Sequence, residues 1–161
     1  MDFVNDDTAT GRLRLQLRGS RSGANLPFSS VHLEIAKNSP IERELRNAIL
    51  SQGNTAIATD RKSADVTLRV LSERQEKKVL TLNAQGQVRE FSLLYRLRFD
   101  VIGKENAQIV NDTELALQTF MSYSESQAVA KETEERLIYN DLRADAVSQI
   151  MRRLAQIKPE Q

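Results

Sequence analysis

The sequence predicts an α+β fold: two helices packed on a mostly antiparallel four-stranded sheet. Three observations predict it. Between Val66 and Tyr123, apolar and polar residues alternate over long stretches separated by turn residues, the pattern of half-buried antiparallel strands. From Ser126 to Ile157 the apolar spacing changes to the helical period, giving an amphipathic stripe. Between Ser39 and Gly53 a shorter helical stripe follows a helix-start signal.

In chain order, Leu13-Arg14-Leu15-Gln16-Leu17-Arg18 alternates strictly before the loop Gly19–Gly23, and reads as a short edge strand or extended lead-in. Val31, Leu33 and Ile35 then share one face of a strand, with His32 on the other. Ser39-Pro40-Ile41-Glu42 spells a capping box, with Ser39 as N-cap, Pro40 at the first helical position and Glu42 reaching back. Ile41, Leu45, Ala48 and Ile49 supply the apolar stripe behind it, and Gly53 stops the helix. A short strand is expected from Thr55 to Thr59.

The long alternation from Val66 to Leu82 leads into Asn83-Ala84-Gln85-Gly86-Gln87, where Gly86 can take a positive φ. On the return, Phe91, Leu93, Tyr95, Leu97, Phe99 and Val101 occupy every second position. Gly103-Lys104-Glu105-Asn106 turns the chain into a third long strand, Ile109 to about Tyr123. Ile138, Leu142, Ala146, Ile150 and Leu154 mark the buried stripe of the long helix, widened by Val147 and Met151. Glutamates lie early in it and arginines late, as the helix dipole favours. The domain plan is a tail or artificial remnant at 1–12, one α+β domain at 13–157, and a frayed end at 158–161 behind Pro159.

Composition narrows the function. The chain has 161 residues, 23 Lys+Arg against 22 Asp+Glu, one His and no Cys. A domain of this size buries about 70% of its unfolded surface and needs no staple. Without Cys there is no thiolate catalysis, Cys-based zinc site or disulfide. A single His leaves no pair for a metal triad or an HExxH helix. Near-neutral charge and few aromatics argue against nucleic acid. The acidic start has no leader-peptide grammar, and no apolar run reaches the ~18 residues a membrane-spanning helix requires. No cofactor or metal is expected, and the chain reads as a non-enzyme. Glu132, Glu134 and Glu135 are the one carboxylate cluster that suits acid–base chemistry, and their place early in a helix suits surface charge better.

The basic residues are unevenly placed. Arg74, Lys77 and Lys78 lie towards the turn end of one long strand and Arg89 opens the next, so their tips are expected to converge near Asn83–Gln87 as an anion-binding patch. Lys131, early in the long helix, joins them if the helix packs that way. Edge-strand lysines that discourage aggregation are the alternative. Arg96 and Arg98 have Glu90, Asp100 or Glu114 as candidate partners.

An ordered set of short segments resembles the LptE family of lipopolysaccharide-assembly lipoproteins. The segments are Leu17-Arg18-Gly19, Leu26-Pro27-Phe28, Ser39-Pro40-Ile41 with Leu45-Arg46, and Val79-Leu80-Thr81-Leu82-Asn83 with Gly86. They continue through Glu90-Phe91, Leu94-Tyr95, Ala128-Val129-Ala130-Lys131-Glu132 with Glu134-Glu135, Leu142-Arg143, and Gln149-Ile150 with Arg152-Arg153-Leu154. The resemblance spans about residues 15 to 155.

It implies a non-catalytic protein that plugs an LptD-type outer-membrane β-barrel and binds lipopolysaccharide during insertion into the outer leaflet. It implies a lipopolysaccharide contact at Lys131. A second family contact falls in the turn before Gly86, where this chain has Ala84-Gln85; Lys78 or Arg89 is available in its place, and Lys77 is the further candidate contact. The family's N-terminal lipid-bearing Cys has no counterpart here, so outer-membrane attachment on the periplasmic side is expected through an anchor missing from this chain. The competing reading is a free periplasmic carrier for an amphipathic anion.

Overall fold

Strict alternation requires an extended backbone with two unlike faces, and a computed structural model describing residues 25–158 shows where those faces go. The order is β1 (Ser30–Glu34), α1 (Pro40–Leu50), β2 (Ala56–Ala58), β3 (Val66–Leu82), β4 (Val88–Ile102), β5 (Gln108–Ser122) and α2 (Ala128–Ala155). The tail at 1–12, the expected strand at Leu13–Arg18 and residues 159–161 lie outside the described residues.

Among the described residues the sheet has five strands rather than the expected four, ordered β2-β1-β3-β4-β5. The short segment after Gly53 makes the difference, because β2 pairs in parallel with β1, and β1 pairs in parallel with β3. The β3–β4–β5 meander is antiparallel as expected. Both helices lie on one side. Ile41, Leu45 and Ile49 of α1 and Tyr139, Leu142, Ala146, Val147, Ile150 and Leu154 of α2 are buried against Leu93, Tyr95, Leu97, Phe99 and Val101 of β4. Arg143 Nε donates to Glu44 Oε1 at 2.6 Å and ties the two helices together.

Two local expectations change. Ser39 is the N-cap of α1 and Pro40 its first residue, yet no side chain caps the helix. Ser39 Oγ instead donates to the Glu73 carboxylate, and the Glu42 carboxylate accepts Arg46 Nη2 at 2.5 Å. Charged partners across the helix–sheet junction and one turn along the helix outcompete the reciprocal capping box. In α2, Tyr139 takes the buried position next to Ile138, and its hydroxyl donates to Glu76 O at 2.8 Å.

The third change matters most for function. The pairing of β3 with β4 slips between Val70 and Ser72, leaving Leu71 as an extra residue. Before the slip, Leu68 and Val70 oppose Val101 and Phe99 on the helix side. After it, Glu73, Gln75, Lys77 and Val79 oppose Leu97, Tyr95, Leu93 and Phe91 there. One added residue turns a strand over, because side chains alternate with a period of two. A second slip leaves Leu80 unpaired, and a third leaves Arg89 as the extra residue on β4. The turn beyond is held by Asn83, whose Oδ1 accepts the backbone N–H groups of Gln85 (3.0 Å) and Gln87 (2.8 Å). Gly86 there has φ +77°, as the turn requires.

Candidate basic site at the start of the long helix

The overturned half of β3 decides where its lysines go. Lys77 points to the helix side, where Nζ lies 2.5 Å from Glu135 Oε2 of α2 and 4.3 Å from the centre of the Phe91 ring. Phe91 meets the Tyr123 ring edge-on, with centres 5.1 Å apart. Lys78 points the other way, 3.4 Å from Glu76. Arg74 shares the open side with Lys78, directly across from Arg96. The expected convergence of all four cations at the turn is therefore not formed. Adjacent strand residues face opposite sides, and the sheet separates them.

Lys131 lies in the first turn of α2 and is the most enclosed of these cations, its side chain 12% exposed. Its ammonium donates to Glu134 Oε2 at 2.7 Å and to Ser122 Oγ at 3.1 Å, joining α2 to the end of β5. Ser122 pairs with Glu90 and Glu90 with Thr81, so Lys131 lies level with the base of the β3–β4 turn. Arg89 is exposed on that level and lines a small surface cavity of ≈ 200 Å³ with Gln87, Val88, Ser124, Glu125 and Ser126. Lys77, Arg89 and Lys131 thus gather at one end of the molecule on or beside the helix side, and Lys78 lies behind the sheet.

The candidate carboxylates find cationic partners. Glu134 and Glu135 hold Lys131 and Lys77, and Glu132 is exposed. Among the described residues, no group of three or more His, Cys, Asp or Glu is placed to hold a metal. His32 Nδ1 lies 3.1 Å from Ala58 O at the β1–β2 junction.

The open face of the sheet is a lattice of ion pairs. Arg69 donates through Nε to Asp100 at 2.7 Å, Arg96 lies 2.5 Å from Glu114, and Arg98 pairs with Asp112. Asp100 is thus Arg69's partner rather than Arg96's or Arg98's. The guanidinium hydrogen bonds hold the Asp100 carboxyl below the usual carboxylate range. On the helix side, burial pushes the Tyr95 phenol above its ordinary range, and its hydrogen bond to Glu73, 2.7 Å, pushes it further. That tyrosine is therefore a structural donor rather than a proton carrier.

The LptE family model, described as lipopolysaccharide-assembly, matches residues 28–154. This chain belongs to the LptE lipopolysaccharide-assembly family. Solved structures agree with the family's fold. Lipoprotein B of Nitrosomonas europaea is 27% identical with a TM-score of 0.75, over 83% of this chain and 86% of that one. The rare lipoprotein B of Shewanella oneidensis is 22% identical with a TM-score of 0.68, over 79% and 94%. A minor lipoprotein of Acinetobacter baumannii is 19% identical with a TM-score of 0.66, over 81% and 92%. No curated protein matches this sequence.

Proposed function

We propose that this chain is a non-enzymatic envelope lipoprotein on the periplasmic side of the outer membrane. It plugs an LptD-type β-barrel and binds lipopolysaccharide during its insertion. The observation that carries the ligand half is Lys131. A lysine held by Glu134 and Ser122 presents a fixed charge at little further entropic cost, and lipid A phosphates are stronger acceptors than the single carboxylate they would displace. Arg89, exposed on the same level, adds a forked donor that can grip a phosphate through two hydrogen bonds. The open sheet face supports the barrel half. Its ion pairs Arg69–Asp100, Arg96–Glu114 and Arg98–Asp112 suit the polar lumen of a large barrel.

Lys131→Glu reverses the charge and removes both the helix pair with Glu134 and the hydrogen bond to Ser122, together about 1–2 kcal/mol, so binding is read beside a circular-dichroism check of the fold. Lipopolysaccharide binding is expected to fall at least about tenfold, one factor of ~1.4 kcal/mol. Unchanged binding with an intact circular-dichroism spectrum refutes the assignment. Co-expression with an LptD-type barrel tests the other half. Co-purification supports the plug, whereas a chain that stays free while binding lipopolysaccharide is a periplasmic carrier.

A further inference from the structure

We propose that the outer arm of the β3–β4 hairpin, Val79 to Leu82, is the contact for the acyl chains of the lipopolysaccharide whose phosphates the neighbouring cations take. The inference rests on the lipopolysaccharide reading above and adds the apolar half of the site. Val79, Leu80 and Leu82 are 52%, 50% and 55% exposed, an apolar run of three large side chains within four residues. Val129, two residues before Lys131 on α2, is 80% exposed at the same end. The core does not account for these side chains. The body of α2 packs on β4 and β5, and it meets β3 through Tyr139 at Glu76 and Glu135 at Lys77, before the apolar run begins.

Register shows what kind of occupant suits the arm. β1 accompanies β3 only as far as Arg69, so among the described residues β3 is an edge of the sheet from there on. That edge is broken by extra residues at Leu71 and Leu80 and carries Lys77 and Lys78, the devices that block addition of another strand. A protein strand is therefore a poor occupant, and a ligand that meets side chains rather than backbone is a good one. Charge sets its sign. Arg89 is exposed beside the apolar run, Lys77, met by Glu135, precedes it on the helix side, Lys78, met by Glu76, lies behind it, and the Glu90 carboxylate accepts a hydrogen bond from Thr81 at 2.6 Å. Apolar side chains rimmed by cations match a molecule with hydrocarbon chains beneath phosphate groups. Lys131, level with Thr81 through Ser122 and Glu90, puts the phosphate contact about two strand spacings, ~10 Å, from the apolar run.

The test uses the full chain carrying Leu80→Ser and Leu82→Ser together, beside wild type and Lys131→Glu. The probes are intact lipopolysaccharide and its fully deacylated form, which keeps the phosphates. The double variant is expected to bind intact lipopolysaccharide at least about tenfold more weakly and the deacylated form as wild type does, with an unchanged melting temperature. Lys131→Glu is expected to weaken both. Wild-type affinity of the double variant for intact lipopolysaccharide overturns the acyl contact alone. Failure of wild type to bind either probe overturns the lipopolysaccharide reading, and the acyl contact falls with it.

Discussion

The two halves of β3 use nearly the same residue types and do opposite work. Val66, Thr67 and Leu68 are buried, flanked by β1 on one edge and β4 on the other and roofed by the helices. Val79, Leu80 and Leu82 are about half exposed, with β4 as their one strand neighbour among the described residues. Hydrophobicity does not separate them; neighbours do. The inner half is a scaffold whose apolar groups are consumed by the core. The outer half keeps its apolar groups available because β1 ends at Glu34 and α2 packs on β4 and β5 rather than over this arm.

Mutations can break this contrast, and the largest effect belongs to the inner half. Ile150 is fully buried, and Ile150→Asp puts an unpaired carboxylate into the core. It is expected to cost about 4 kcal/mol or more, read as loss of the cooperative melting transition or a large fall in the urea midpoint. A near-unchanged transition would show that the helix stripe faces water.

A smaller effect is expected at Asp100, which is 4% exposed and paired with Arg69 beside the inner half of β3. Asp100→Asn is expected to cost about 1–3 kcal/mol at neutral pH. Its pH dependence has a definite sign. The folded carboxyl titrates below its unfolded value of about 3.9, so its contribution is complete above that pH and is lost as pH falls through the lower, folded value. Wild type should therefore lose more stability than the variant between about pH 4 and pH 2, as measured by urea unfolding at each pH. Parallel pH profiles would remove the ion pair from the stability of the inner half.

The smallest effect belongs to the outer half. Leu80→Ser with Leu82→Ser should shift unfolding free energy by no more than about 0.5 kcal/mol, because neither side chain leaves a core. A substantial drop in melting temperature would erase the distinction between the halves and give the arm a structural role.

Much of the inner architecture is legible in the sequence. The every-second-residue pattern from Phe91 to Val101 announces β4, and the four-residue steps from Ile138 to Leu154 announce α2. The bulges are marked more faintly. The doublets Val70-Leu71 and Val79-Leu80 interrupt the alternation at the two of the three slips where β3 itself carries the extra residue. Their consequence is not readable from the strand alone. It depends on pairing with β4, which sends Lys77 to Glu135 and Phe91 and sends Lys78 to the opposite face. Lys131 was singled out by family resemblance, but its enclosure by Ser122 and Glu134 required the end of β5 to meet the start of α2.

The sequence by itself determined the elements and the class of fold, because apolar period, turn residues and helix-end charges are local and act within a few residues. It also determined the near-neutral charge and the lack of Cys, which exclude thiol and Cys-metal chemistry. Only the tertiary structure decided which cations share a side, which apolar residues remain exposed, and which carboxylate each lysine meets. Those outcomes depend on register and on where neighbouring strands and helices stop. A single inserted residue in β3, Leu71, reverses the face of the side chains from Ser72 to Val79, and no local pattern carries that sign.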